Sequence, residues 1–310
     1  MSTSTTTSNN NSNNKILASI VIPTYKEGAN LKELITRIFK AIETEQGNNK
    51  SNNSFLLTTS NTEVIVVDDN SQDGSEQIVN ELSQQPHHLN ARIIVRTQER
   101  GLSSAVLRGF SESRGDFLMC MDADLQHPPE AVPAMFRELI PGAKISPTSE
   151  KNKKEKAEEE EESPVEFVLG TRYGSGEMSV DKNWPAYRRF ISKTARLMAR
   201  ALTPLSDPMS GFFVIRRDTY ERAKRTGINP IGFKIALELY VKAGVKKHRE
   251  VPFAFGVRLY GYSKLSSKVI VHYLSHLREL YMFTYGTHLY VVLALIAILV
   301  LFGTYRLLLH

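Results

Sequence analysis

Two carboxylates separated by one small residue, Asp122-Ala123-Asp124, are the group in this sequence best suited to chemistry. Two such acids with nothing apparent to neutralise them repel, so the pair holds a cation or shares a proton. A divalent ion there would bridge to a diphosphate and carry the charge that develops when it leaves. A DxD is short, and standing alone it also reads as an ordinary acidic turn. Other polar groups recur in comparable places. In Pro23-Thr24-Tyr25-Lys26-Glu27 the ring can stack on a nucleobase and the carboxylate can accept base or ribose donors, although alone the segment is an ordinary turn. Asp68-Asp69-Asn70-Ser71 offers acids to ribose hydroxyls or base amines. Arg172, in Gly-Thr-Arg-Tyr, follows an apolar run and suits a phosphate. Arg188, Arg189, Lys193, Arg196 and Arg200 stud one helical stretch, the last two read as its solvated face, and Arg258 to Lys264 forms a flexible basic loop.

These groups stand where apolar runs end. Phe117–Met121 is long enough for one fully buried strand, and the paired acids follow it. From Ile16 the chain reads as a strand, a turn at Pro23, and a helix capped by Asn30 with Leu31, Leu34, Ile35 and Ile38 on one face. Thr44–Thr62, rich in Asn, Ser and Thr, reads as an exposed loop. Further strands are expected at Glu63–Val67, Arg92–Val95, Val165–Leu169 and Phe212–Ile215, and helices around Ile78–Leu82, Leu102–Ser113, Pro133–Leu139, Trp184–Leu202 and Phe233–Ala243. Strand–helix alternation with acids at the strand ends predicts a doubly wound α/β sheet that holds a nucleotide beyond those ends. Neither GxGxxG nor GxxxxGK[ST] occurs, so a Rossmann dehydrogenase or a P-loop enzyme is unsupported. A nucleotide without a glycine-rich cradle, beside a DxD, points to metal-held nucleotide-sugar chemistry.

At 310 residues and 41% hydrophobic, the chain suits one large domain, or a domain with appendages. Its one cysteine, Cys120, lies inside an apolar run, which excludes a disulfide framework and fits a reducing compartment. The formal charge of +6 is moderate, and with no zinc-finger spacing or basic–aromatic repeat no nucleic-acid partner is expected. Residues 1–15 read as a disordered polar tail without a secretory signal. Residues 144–163, a basic block followed by an acidic one, read as a solvated insertion with no catalytic role. Residues 266–285 carry Val269, Tyr273, Leu277 and Leu280 at helical spacing, which predicts an amphipathic helix lying on a membrane or against the domain. Leu280–Tyr305 contains no Lys, Arg, Asp or Glu, and spanning a bilayer takes roughly 20 apolar residues. A single-pass C-terminal anchor is therefore expected at 286–308, with Tyr285, Tyr290 and Tyr305 as interface anchors and a buried core helix as the alternative. Lys268 and Arg278 before the span, against Arg306 after it, lean toward a cytosolic catalytic domain.

Taken in order, PTYKE, VVDDNSQDGS, RTQERGLSSAVLRGF, MDADLQHPP, GTRY, WPAYRRFIS, DPMSGFF, GFKIALEL and GVRLYGYSKL resemble the dolichol-phosphate mannose synthases. These are inverting GT-A enzymes of glycosyltransferase family 2, and the likeness is to the single-subunit type with its own anchor. It covers about Ile16 to Tyr305, apart from the Asn-rich loop and the Lys/Glu insertion, and implies a GT-A domain over 16–265. The resemblance implies that Pro23, Tyr25, Glu27, Val67 and Asp69 line the nucleotide pocket. It also implies that Asp122, Ala123 and Asp124 contact GDP-mannose, and that Asp124, Gln126 and Asp122 ligate Mg2+ or Mn2+. Arg172 and Arg188 match arginines near the acceptor phosphate, Arg172 also reaching the donor, while Arg258 and Lys264 match a mobile loop closing over the donor. Tyr262 departs from the family's YGESKL, where an acid stands at that place.

The chemistry so implied is transfer of mannose from GDP-mannose to dolichyl phosphate, giving the mannosyl donor for N-glycan, O-mannose and GPI-anchor assembly. The implied setting is the endoplasmic reticulum membrane, with the catalytic domain facing the cytosol, the bilayer as a partner and no obligatory subunit. A phosphate monoester is already anionic at neutral pH, its second pKa being about 6, so no general base is needed. Single displacement inverts the anomeric carbon. The rival readings are a dolichol-phosphate glucose synthase using UDP-glucose and a catalytically silent, membrane-tethered binding module.

Overall fold

The computed structural model describes residues 15–48, 57–140 (85 and 87 apart), 163–174, 179, 186–256 and 267–286, with scattered residues beyond. Seven strands make one sheet: β1 (Ala18–Thr24), β2 (Thr62–Asp68), β3 (Ala91–Val95), β4 (Phe117–Cys120), β5 (Phe167–Thr171), β6 (Phe213–Arg216) and β7 (His248–Pro252). Their order is β3-β2-β1-β4-β6-β5-β7. β1 is parallel to both β2 and β4, and β5 is parallel to β7. β6 alone runs against its neighbours, pairing antiparallel with β4 and β5. The sheet is therefore mixed rather than all parallel. Among the described residues the helices are α1 (Gly28–Asn48), α2 (Ser75–Ser83), α3 (Leu102–Glu112), α4 (Val132–Leu139), α5 (Ala186–Ala199), α6 (Arg217–Arg225), α7 (Ile235–Lys242) and α8 (Ser267–Tyr285).

Helices on both faces explain why the central strands are apolar almost throughout. Ile20, Ile22, Val64 and Val66 pack under α1 with Leu31, Leu34, Ile35 and Ile38, while Val21, Ile65 and Val67 point to the opposite core, with Ala105, Val106 and Phe110 of α3. α3 lies unusually close to the sheet. A Cβ on Gly109 would stand 2.3 Å from Val21 Cγ1, so only glycine allows this approach.

Two boundaries differ from the sequence reading. α1 starts at Gly28, and Asn30 is a buried first-turn residue whose Nδ2 donates to Glu27 Oε2 at 2.9 Å. The acceptor at that helix end is Asp73, from the loop after β2, whose Oδ2 takes the Gly28 N–H at 2.9 Å. α1 also runs on to Asn48, and a short 3-10 turn at Thr59–Asn61 precedes β2, so the Asn-rich segment is only partly loop.

The expected amphipathic helix is α8. It buries Leu277 and Leu280 against Leu237 of α7 and leaves Ile270, Val271 and Leu274 exposed. Its tyrosines tie it to the C-terminal end of α5: Tyr273 donates to Ala195 O and Tyr281 to Met198 O, both at 2.7 Å, and Tyr285 donates to Ala201 O. Ala201 lies two residues past α5, so Tyr285 ties α8 to the turn that follows that helix. Among the described residues no helix is long and apolar enough to cross a membrane. Most of the anchor expected at 286–308 lies outside the described residues, as do the tail, the insertion at 144–162, Arg258, Tyr262 and Lys264.

Candidate active site

β1, β2, β4 and β5 all point their C-terminal ends toward one edge of the sheet, and a cavity of about 720 Å³ opens there. The chain runs from β1 outward through β2 to β3 on one flank and then crosses back to β4 on the other, which makes this the switch point where open α/β sheets bind ligands. Along that edge the lining changes character. Pro23, Tyr25, Glu27, Asp69 and Arg100 stand over β1 and β2; Asp122, Ala123, Asp124 and Arg172 follow β4 and β5; Phe190, Ile191 and Met198 of α5 face Ile270, Tyr273 and Leu274 of α8.

At the nucleotide end, Tyr25 is half-buried, with the Arg100 guanidinium 5.4 Å from its ring centre, a cation–π distance. Asp69 is buried and has structural duties. Its Oδ1 accepts from Arg96 Nε at 2.8 Å, and its Oδ2 accepts from the Gly101 N–H at 2.8 Å. Gly101, at φ 134°, makes that turn into α3, so Asp69 and Arg96 clamp the start of the helix beside the pocket. Val67 does not line the cavity. Its side chain is fully buried under α3, because alternation along β2 turns it to the core face.

The acids are held by the turn that follows β4. Asp124 is buried and its Oδ1 accepts the Gln126 N–H at 3.1 Å, closing a tight turn with Leu125 at φ 61°. Asp122 is more open, its side chain 37% exposed, and its own N–H donates to His127 Nδ1 at 3.0 Å. His127 is buried, stacked on Phe212 with ring centres 5.0 Å apart and edge-on to Phe253. Burial pulls its pKa down to about 4, so the ring is neutral and the accepting Nδ1 leaves its proton on Nε2. Gln126 Nε2 donates to Gly256 O at 3.1 Å, which ties the acidic turn to the start of the basic loop.

Arg172 faces the same cavity with a partner the sequence reading missed. Its Nε donates to Asp207 Oδ2 at 2.7 Å and its Nη2 to Oδ1 at 2.8 Å, both residues being buried. Burial alone would lift the Asp207 carboxyl, but the guanidinium more than offsets this and holds it below the usual carboxylate range. Arg188 is half-buried on α5 and lines the cavity. Lys234, just before α7, lines it too. Burial, then Arg172, pull its ammonium down to about 8, against the opposing charges of Asp207 and Asp122. Asp207 lies in the recognised DPMSG turn, and Lys234 opens an apolar helix. Neither sequence context signals a site residue.

The sequence model of glycosyl transferase family 2 matches residues 19–223. A dolichol-phosphate mannosyltransferase of Saccharomyces cerevisiae is 46% identical over 275 residues, covering 87% of this chain and 89% of that protein. One from Mycosarcoma maydis is 46% identical over 285 residues, covering 91% and 85%. The chain belongs to glycosyltransferase family 2, among the dolichol-phosphate mannosyltransferases. In fold it is similar to glucosyl-3-phosphoglycerate synthase from Mycobacterium tuberculosis, solved with Mn2+, uridine diphosphate and phosphoglyceric acid. That chain is 20% identical, with a TM-score of 0.52 and coverage of 84% of this chain and 78% of that one, which shows a shared GT-A-like fold.

The family's acidic turn also fits a hard divalent cation. Asp122 and Asp124 are oxygen donors on the cavity wall, the donor type that Mg2+ and Mn2+ prefer. Among the described residues no group of three His, Cys, Asp or Glu surrounds a metal position. Two carboxylates with coordination completed by substrate phosphates is the arrangement usual for Mg2+ at nucleotide sites.

Proposed function

We propose that this chain transfers mannose from GDP-mannose to dolichyl phosphate with inversion. The observation that carries the reading is one continuous cavity. It joins an aromatic and acidic nucleotide end, a floor of carboxylates and arginines, and an apolar groove between α5 and α8. Such a groove has no use for a sugar nucleotide, and it suits the hydrocarbon of a lipid acceptor. Mannose transfer to dolichyl phosphate is also the activity named for relatives aligned over most of the chain.

A divalent cation held by Asp122 and Asp124, with Gln126 nearby, would neutralise the leaving diphosphate. The chain's own residues do the rest. Tyr25 and Glu27 receive the nucleoside, while Asp69 keeps the start of α3 in place beside it. Arg172, oriented by Asp207, and Arg188 hold the acceptor phosphate in line with the anomeric carbon, and Arg258 and Lys264 cover the donor. The phosphate needs no base, so catalysis consists of positioning and of neutralising two sets of phosphates that otherwise repel. The exposed apolar residues of α5 and α8 rest on a bilayer, and the segment after α8 anchors the chain in the endoplasmic reticulum membrane with the site in the cytosol.

The test is transfer of labelled sugar from GDP-mannose, and separately from UDP-glucose, to dolichyl phosphate with and without EDTA. Mannosyl lipid formed only when metal is present is the expected result. Glucosyl lipid would overturn the donor, and no lipid product from either donor would overturn the activity.

A further inference from the structure

We infer that Lys234 binds the acceptor phosphate, as a cation of the site additional to Arg172 and Arg188. The inference rests on the lipid-phosphate reading above and names a residue which that reading leaves unused.

Three observations lead to it. The first is the charge balance at Arg172, whose Nε and Nη2 are both engaged by the Asp207 carboxylate. That pair is close to neutral as a unit, so it orients a ligand better than it neutralises one. The second is the state of Lys234. Its Nζ donates to Met209 O at 2.8 Å, its one hydrogen bond among the described residues, and no described carboxylate lies within ion-pair distance of it. An ammonium carries three donors, and an incompletely solvated one is costly to leave without an anionic partner. The third is its place. Lys234 lines the cavity with Asp122 and Arg172 on one side, and its neighbours Met209 and Phe233 line it as apolar wall. It therefore stands at the seam between the polar floor and the groove, where the charged head of an amphipathic acceptor must sit.

The chemistry matches. A phosphate monoester carries about −1.5 to −2 charge at neutral pH, and its free oxygens accept charge-assisted hydrogen bonds from an ammonium. Lys234 would lower the repulsion between this dianion and Asp122 while leaving the attacking oxygen's remaining lone pairs available. No proton transfer is involved.

The experiment is steady-state kinetics of the full chain with GDP-mannose and a short-chain polyprenyl phosphate in detergent, for wild type, Lys234→Met, Lys234→Gln and Lys234→Arg. Thermal midpoints are measured alongside. Gln keeps an N–H donor for Met209 O without the charge, so it separates the tie from the cation. Both neutral variants are expected to raise acceptor KM about 10- to 100-fold, the worth of a charge-assisted hydrogen bond. Donor KM should stay within about twofold, and Arg should recover most of the loss. A folded Gln variant with wild-type acceptor KM overturns the inference, as does a rise confined to donor KM. A wild-type chain that transfers nothing to any polyprenyl phosphate removes the proposed function and this inference with it, a result distinguishable from either.

Discussion

Arg172 and Asp207 meet in a two-point pair at the floor of the site, with Nε to Oδ2 at 2.7 Å and Nη2 to Oδ1 at 2.8 Å. Asp207 fixes the plane of the guanidinium, and so it decides where the remaining donors of Arg172 point. Deleting it would leave a buried charge uncompensated. Asp207→Ala should lose about 3–5 kcal/mol of stability, and activity with it, while Asp207→Asn keeps an acceptor oxygen and should lose less of both. Urea unfolding with parallel turnover assays checks this. An Ala variant as stable as wild type would show that the pair is not what holds Arg172.

Asp124→Asn preserves size and the acceptor for the Gln126 N–H, and removes only the charge. Turnover should fall about 10²- to 10³-fold, a typical loss for one preorganised electrostatic group. The thermal midpoint should barely move, and GDP binding measured by calorimetry should lose its dependence on divalent metal. Metal-dependent GDP binding that persists unchanged in the variant would remove Asp124 from the metal site.

The groove between α5 and α8 makes a separate prediction. Ile270 is 40% and Leu274 45% exposed, so an acid at either position disturbs little folded core. Removing one apolar contact of roughly 1.5–3 kcal/mol should weaken a long polyprenyl phosphate by about tenfold or more. A water-soluble short-chain acceptor should be much less affected. Measuring acceptor KM across chain lengths for Leu274→Asp decides it, and equal losses at every length would place the lipid elsewhere.

Glu63 lies at the opposite end of the sheet and separates stability from activity. It is buried, and accepts from Ser19 Oγ at 2.7 Å, Arg114 N–H at 2.7 Å and Arg114 Nη2 at 2.9 Å. Burial alone would raise its pKa, but these donors outweigh it and hold the carboxyl below its ordinary 4.5. The unfolded chain then binds the proton more readily than the folded one. The contribution is therefore complete above about pH 4.5 and is lost as pH falls through the lower folded value. Glu63→Gln should cost about 1–3 kcal/mol at neutral pH, and the gap to wild type should narrow in acid. Urea midpoints at pH 7 and at steps below pH 4.5 test this, and a gap that widens in acid would reverse the assignment.

The strands were legible because a strand covered on both faces is apolar through its middle, and the runs Phe117–Met121 and Val64–Val67 could hardly be anything else. The antiparallel β6 was not, since an apolar run carries no direction. Asn30 was misread as a cap because the acceptor at Gly28 comes from Asp73, 45 residues later. The side chain of Val67, two residues before Asp69, is taken up in packing against α3, a placement that depends on a helix more than thirty residues later and is not written in its own segment.

The sequence by itself determined the local chemistry of this protein: a strand that ends in Asp122-Ala123-Asp124, a family membership carried by ordered motifs, and apolar periodicity in α8. These are properties of neighbouring residues, and short-range sterics and burial decide them. Only the tertiary structure decided that Asp207 compensates Arg172, that His127 supports Asp122 through its backbone, and that Lys234 stands beside them with no ion-pair partner among the described residues. It also decided that α5 and α8 line an apolar groove opening onto the same cavity. Each of these depends on distances between segments far apart in the chain, and those distances exist only once the sheet has been assembled and its helices packed.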